Sequence, residues 1–259
     1  MNIVVCVKQV PDTWSERTLQ AADNTVDRDA ADAVPNELDE YAIEEGLRLQ
    51  EANGGEVTIL SMGPEKAAET IRKALSMGAD KAVHVSDPAL HGSDALVTSA
   101  VLAQVLGRIG FDLVILGSES TDARTGLMAA MLAERLGVPQ LSYASQVQTD
   151  GSAITIHRQA DYGYDTVEAA LPAVLSVVEK INEPRYPSFK GIMAAKKKPV
   201  ETLTLADIGF DPARAGLAAS GTEVVSFAKR PPKQAGTIIT DEGDGGNGAA
   251  EFLATRKFI

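Results

Sequence analysis

The sequence predicts an α/β fold: a doubly wound, mostly parallel sheet with a β-hairpin extension and a C-terminal arm. Three observations predict it. Short β-branched runs alternate with longer amphipathic segments through the first two-thirds of the 259 residues, the pattern of parallel strands joined by crossover helices. An Asp150-Gly151 pair separates two later runs and reads as a hairpin turn, since Asp-Gly favours the tight turn whose twist matches its strands. The tail beyond residue 220 holds Pro231-Pro232 and the glycine-rich GDGGNG. Such a tail buries little by itself and reads as an arm that packs on something else.

Taken in order, strands are expected at residues 3–7, 57–61, 82–85 and 113–116. Helices are expected between them, over 38–51, 65–77 and 94–108. Asn36 and Ser93 are placed to cap two of these, because a side-chain oxygen there can accept from the first amides. Gly78 suits a helix end, where a left-handed residue costs glycine little. Ala67, Ile71, Ala74 and Leu75 recur at helical spacing and give one face to bury. A further helix over 125–136 stops at Gly137, ahead of Pro139. The hairpin then takes 142–148 and 153–159, strands at 166–170 and 173–178 complete the sheet, and a short helix over 249–257 ends the arm. The expected division is an α/β nucleotide-binding domain over 1–220 and the arm over 221–259.

The formal net charge of −12 and pI of about 4.7 disfavour a general nucleic-acid role, which needs clustered Lys and Arg. Cys6 is the only cysteine, so an intramolecular disulfide is impossible. MNIVVCVKQ reads directly as a strand, and no apolar run approaches the ~20 residues of a membrane span. A soluble, cytoplasmic protein is expected.

Four stretches are candidate sites. GSESTDARTGLMAA, 117–130, follows a buried-looking strand, at the end of a parallel sheet where open α/β folds bind ligands. Its hydroxyls, Arg124 and the helix opening at Thr125-Gly126 suit a phosphate. An ordinary capped strand-to-helix loop would carry the same residues, and the loop is neither a Walker A nor a GxGxxG pattern. Cys6 and Met62-Gly63-Pro64 end two neighbouring strands on the same edge; Gly63 permits close approach of a stacked base, or merely turns the chain. His84, His91 and His157 share no spacing, and no Ser-His-Asp, Cys-His or HExxH ordering is present, so neither a catalytic residue nor a metal site is expected. Glu37, Asp39, Glu40, Glu44 and Glu45 read as a solvated helix face. In INEPRYPSFKGIMAAKKKP, 181–199, Pro184 and Pro187 stiffen the chain around Arg185 and Tyr186. Ser188, Phe189, Ile192 and Met193 follow, then Lys196, Lys197 and Lys198. This is either a surface loop closing on a cationic helix end or an aromatic knob above a basic collar.

The run NEPRYPSFKGIMAAKKKP, preceded by LPAVLSVVEKI, resembles the signature of electron-transfer flavoprotein beta subunits. VCVKQVPDT, PNELDEYAIEEGLRL, TIRKALSMGADKAVHV and the Gly117 loop agree in order, so the resemblance covers nearly the whole chain. It implies an adenine-nucleotide-hydrolase-like or flavodoxin-like domain in a heterodimer with an FAD-bearing alpha subunit. It implies AMP in this chain, contacted by Cys6, Asn36, Glu37, Leu38, Asp39, Met62, Ala123, Arg124, Thr125, Gly126, Leu127 and Met128. It further implies electron transfer from acyl-CoA and other flavoprotein dehydrogenases, docked by Pro184 to Lys198, onward to a membrane quinone reductase. Two departures stand out: the loop from Gly117 to Thr125 is shorter than in many members, and Phe189 replaces the usual Leu anchor. Rival readings are a bifurcating-type subunit holding a second FAD, a stress-protein-like ATP-binding regulator, and an interaction subunit with an empty pocket.

Overall fold

The computed structural model describes residues 1–259 except 234, 235, 237 and 239. Its chain divides into two compact units, Met1–Val225 and Ser226–Ile259. The first is built on a nine-stranded sheet of order β11-β5-β4-β1-β6-β10-β7-β8-β9. The strands are β1 (Asn2–Cys6), β4 (Glu56–Met62), β5 (Lys81–Val85), β6 (Leu113–Gly117), β7 (Gln140–Thr149), β8 (Ala153–Ala160), β9 (Gly163–Ala170), β10 (Ala173–Val177) and β11 (Val200–Leu203). Neighbours from β11 to β7 pair parallel, and β7-β8-β9 pair antiparallel.

Two cores sandwich this sheet. Ile3 and Val5 of β1 pack with α1 (Glu37–Asn53) and α2 (Ala68–Met77) on one face. Val4 and Cys6 pack with α3 (Ala95–Ile109) and α4 (Met128–Leu136) on the other. Alternation along each strand sends successive side chains to opposite faces, and both faces are apolar because helices cover both.

Several elements differ from the sequence expectation. β2 (Gln9–Pro11) and β3 (Ala33–Pro35) form a separate two-stranded ribbon, and β11 was not foreseen; all three runs are too short to show a period. α4 starts at Met128 rather than 125, because Arg124 (φ 50°) and Gly126 (φ 63°) leave the helical region. The hairpin turn spans 150–152, closed by Asp150 Oδ1 accepting from the amides of Ser152 and Ala153 at 2.9 Å each. Ser93 does not cap α3; Asp94 does, accepting from the Val97 amide at 3.0 Å. Asn36 precedes α1 without a capping bond.

In the second unit, α6 (Gly245–Thr255) takes in the glycine-rich run and so begins earlier than expected. Asp241 leads into it, its carboxylate accepting from the Gly243 and Gly245 amides at 2.9 Å. Phe252, Phe258 and Ile259 are exposed.

Candidate functional site

The chain builds the sheet outward from β1 through β4 and β5, then returns to place β6 on the other side of β1. The switch point of the strand order therefore lies beyond the carboxyl ends of β1 and β6, the place where doubly wound sheets take ligands. The walls around it are the residues after Cys6, the first turn of α1, and the turn after Gly117.

Asn36, almost fully buried, ties these walls together. Its Nδ2 donates to Asp39 Oδ1 and to the Glu119 carbonyl, both at 2.9 Å, and its Oδ1 accepts from the Thr121 amide at 3.0 Å. A cap was expected of this side chain; it bridges the Asp39 carboxylate of α1 and the β6–α4 turn instead. Asp39 Oδ2 accepts from the Lys8 amide at 2.8 Å. Burial pushes the Asp39 carboxyl up to about 7, against the opposing pull of the Asn36, Lys8 and Gly117 donors. A Cβ on Gly117 would lie 2.7 Å from both Asp39 Oδ1 and the Leu38 carbonyl carbon, so glycine is what lets α1 close on the strand end.

A second layer is ionic. Asp122, its side chain 2% exposed, pairs with Lys8 Nζ at 2.7 Å and Arg28 Nη2 at 3.1 Å. Burial alone would raise its carboxyl, yet the Lys8 charge and bond, with Ser120 and Arg28, hold it below the ordinary range. Arg17 donates to the Thr121 carbonyl. The segment from Gln9 to Asp32 is thereby fastened over the turn by two arginines.

Cys6 is buried and burial drives its thiol far above the ordinary range, which leaves it a packed hydrophobe. His84 is buried at the end of β5 with its proton-bearing Nε2 3.1 Å from the Gly63 carbonyl; burial lowers its pKa, so a neutral ring holds the turn after Met62. The buried Thr121 and Ser61 hydroxyls have no hydrogen-bond partner among the described residues. Ala123, Arg124, Thr125 and Leu127 are exposed, and Gly126 and Met128 half-buried. Leu127 flanks α4 with no side-chain cap, so the first α4 amides keep donors to offer.

The 181–199 stretch lies on the α1/α2 face. The solvated acidic face expected on α1 holds for Glu37, which is exposed, with Glu40 half-buried, and is wrong for Asp39, Glu44 and Glu45, which are buried. Glu44 accepts from Arg185 Nε (2.8 Å), Nη2 (3.0 Å) and N (3.1 Å), and Glu51 from Nη1 at 2.6 Å. Asn182 Nδ2 donates to Glu45 Oε2 at 3.1 Å. α5 (Phe189–Ala195) is capped by Ser188, and a Cβ on Gly191 would lie 2.4 Å from the Ser76 carbonyl oxygen. Lys198 donates to the Leu75, Gly78 and Ala79 carbonyls at 3.0, 3.0 and 2.6 Å, so it closes α2 rather than standing in a free collar. What remains outward is an apolar cluster, Tyr186 (95% exposed) and Phe189 (81%) with Ile192 and Met193, beside exposed Lys190, Lys196 and Lys197.

Sequence reasoning missed Lys8, Arg17, Arg28, Asp122 and Asn182. Only topology brings them to the switch point and to α1; a Lys directly after a strand end was the one available hint.

The sequence model of the electron transfer flavoprotein domain matches residues 23–208. A Mycobacterium leprae protein named electron transfer flavoprotein subunit beta is 55% identical over all of this chain and 99% of its own length. The chain belongs to the electron transfer flavoprotein beta-subunit family. A namesake from Megasphaera elsdenii is 35% identical over 94% of this chain and 93% of its own. A subunit of the caffeyl-CoA reductase–Etf complex of Acetobacterium woodii is 37% identical over 93% and 92%. Membership makes this an electron-carrier subunit, acting with an alpha partner in a complex that uses flavin. Among the described residues no helix is long and apolar enough to cross a membrane, and no group of three or more His, Cys, Asp or Glu could hold a metal.

Proposed function

We propose that this chain holds AMP as a structural nucleotide in the β1/β6 crevice and docks flavoprotein dehydrogenases through its 184–198 face. The electron-carrying FAD is held mostly by the alpha subunit, and supplies the redox chemistry when bound. One observation carries the nucleotide reading: Asn36 ties together the walls of the switch point, where the buried Thr121 hydroxyl lacks a partner among the described residues. Buried polar groups are rarely left so, and a ribose or phosphate oxygen is the kind of group that satisfies one. The residues present fit AMP. Cys6 and Met62 would contribute backbone, Asn36, Glu37, Leu38 and Asp39 the wall, and Ala123 to Met128 the phosphate cradle, with the Arg124 guanidinium as counter-charge.

The chain performs no proton transfer in this reading; it binds, orients and docks. Acyl-CoA and related dehydrogenases are the proposed donors, supported by the relative named for a caffeyl-CoA reductase complex. Phe189 is the proposed anchor, Tyr186, Ile192 and Met193 its surround, and Arg185 and Lys198 the rivets beneath. Onward transfer goes to a membrane quinone reductase, the compartment is cytoplasmic, and the arm over 221–259 packs on the alpha subunit. Nucleotide extraction from purified heterodimer tests the reading. One AMP and one FAD per heterodimer are expected. Two FAD would establish the bifurcating alternative, and ATP on the chain without a flavoprotein partner the regulator; a site with no nucleotide would leave an interaction subunit.

A further inference from the structure

We propose that Asp122, clamped between Lys8 and Arg28, is a positioning residue that fixes the 119–126 turn and thereby sets the affinity of the crevice for a nucleoside monophosphate. The inference rests on the reading of the crevice as a nucleotide site.

Asp122 belongs to the turn between β6 and α4, yet its carboxylate answers to two other parts of the chain. Lys8 follows β1, and Arg28 lies in the segment between β2 and β3; each holds a different oxygen of Asp122. Arg28 also donates from Nη1 to the Gln9 carbonyl at 3.4 Å, and Lys8 Nζ lies 3.4 Å from Ser120 Oγ. The neighbouring Thr121 peptide is fixed from both sides, its amide by Asn36 and its carbonyl by Arg17. Two consecutive residues of the turn are thus locked by four side chains from three separate segments.

The carboxylate is the only member of this cluster that touches both cations. Without its charge, Lys8 and Arg28 lose the partner they share, and the segment 9–32 loses one of its two arginine fastenings to the turn. The residues immediately downstream, Arg124 and Thr125, make no side-chain bond of this kind among the described residues, so their placement depends on the turn that carries them. A turn held in its bound geometry before the ligand arrives spares the ordering penalty at binding. Asp122 acts on affinity through that route, with no contact to the nucleotide required. The charge is essential to it, because the neutral isostere cannot bridge two cations.

Calorimetric titration of AMP into nucleotide-stripped heterodimer tests this, comparing wild type with Asp122→Asn and Arg28→Gln. Asp122→Asn should raise Kd about tenfold or more, and Arg28→Gln several-fold, at unchanged stoichiometry and FAD content. Amide exchange over 9–32 should quicken in both, a change a purely local packing defect would not give. If Asp122→Asn does not fold, the half-exposed Arg28→Gln and Lys8→Gln carry the comparison. Unchanged affinity in the folded variants overturns the proposal. If wild type retains a second FAD instead of AMP, the AMP reading falls, and retention of that FAD in the same variants decides the positioning role.

Discussion

Removing the Arg185 guanidinium should loosen the docking face and measurably destabilise the protein. In Arg185→Ala, Glu44, whose side chain is 8% exposed, loses the fork that faces it, while Glu51, 58% exposed, turns to water. Breaking a fully buried pair costs about 3–5 kcal/mol, whereas a hydrogen bond to a charged group contributes about 1.5–3 kcal/mol. Arg185 is itself 35% exposed, so screening by solvent reduces the larger figure, and about 2 kcal/mol is expected. At roughly 2–4 °C per kcal/mol for a domain of this size, the thermal midpoint should fall by about 4–8 °C. Differential scanning calorimetry of the heterodimer at one fixed concentration is the assay, since dissociation makes midpoints depend on concentration. Glu44→Gln and the double variant complete a cycle, whose coupling should reach about 1 kcal/mol or more. A midpoint within about 1 °C of wild type, or single effects that simply add, would refute the clamp.

Phe189→Ala should slow dehydrogenase-dependent flavin reduction in stopped-flow mixing while leaving stability within about 0.5 kcal/mol, as expected for a surface side chain; unchanged kinetics would remove Phe189 as the anchor. Raising ionic strength should slow the same association through Lys190, Lys196 and Lys197, and Lys198→Ala should lower stability without altering that salt slope. Asp39 carries a carboxyl raised from 3.8 to about 7. Between those values the folded state holds a proton that the unfolded state has lost, so its contribution weakens as pH rises and levels off above about 7. Thermal midpoints of Asp39→Asn relative to wild type should therefore climb across pH 4–7; a flat difference would show that the carboxyl does not titrate there. Gly117→Ala should destabilise by about 1–3 kcal/mol through overpacking and reduce bound nucleotide, both measurable on one preparation; an unaffected protein would mean that α1 can back away from β6.

The central parallel strands were legible because β1, β4, β5 and β6 are apolar on both faces and separated by periodic helices. The meeting of the Gly117 turn with the start of α1 was legible for a related reason: a strand end followed by hydroxyls and a helix has a fixed place in a doubly wound fold. The acidic stripe of α1 was misread because Glu44 and Glu45 look solvated in any isolated helix, and their partners, Arg185 and Asn182, lie some 140 positions away in sequence. Helix α4 was begun too early for a local reason, since Arg124 takes a positive φ that no propensity assigns to arginine. Lys198 was read as displayed charge because three consecutive lysines look alike, and only the position of the α2 terminus separates one from the others.

Helix α1 serves two neighbourhoods at once. Its first turn carries Asp39 against the strand ends, and its later turns carry Glu44, Glu45 and Glu51 beneath the 182–185 segment. Asp39 and Glu51 stand twelve residues apart, about 18 Å along a rigid rod. A single-residue insertion between them would rotate one set of carboxylates by about 100° relative to the other, so no register exists in which both neighbourhoods are kept. The length of this helix between Asp39 and Glu51 is thereby frozen.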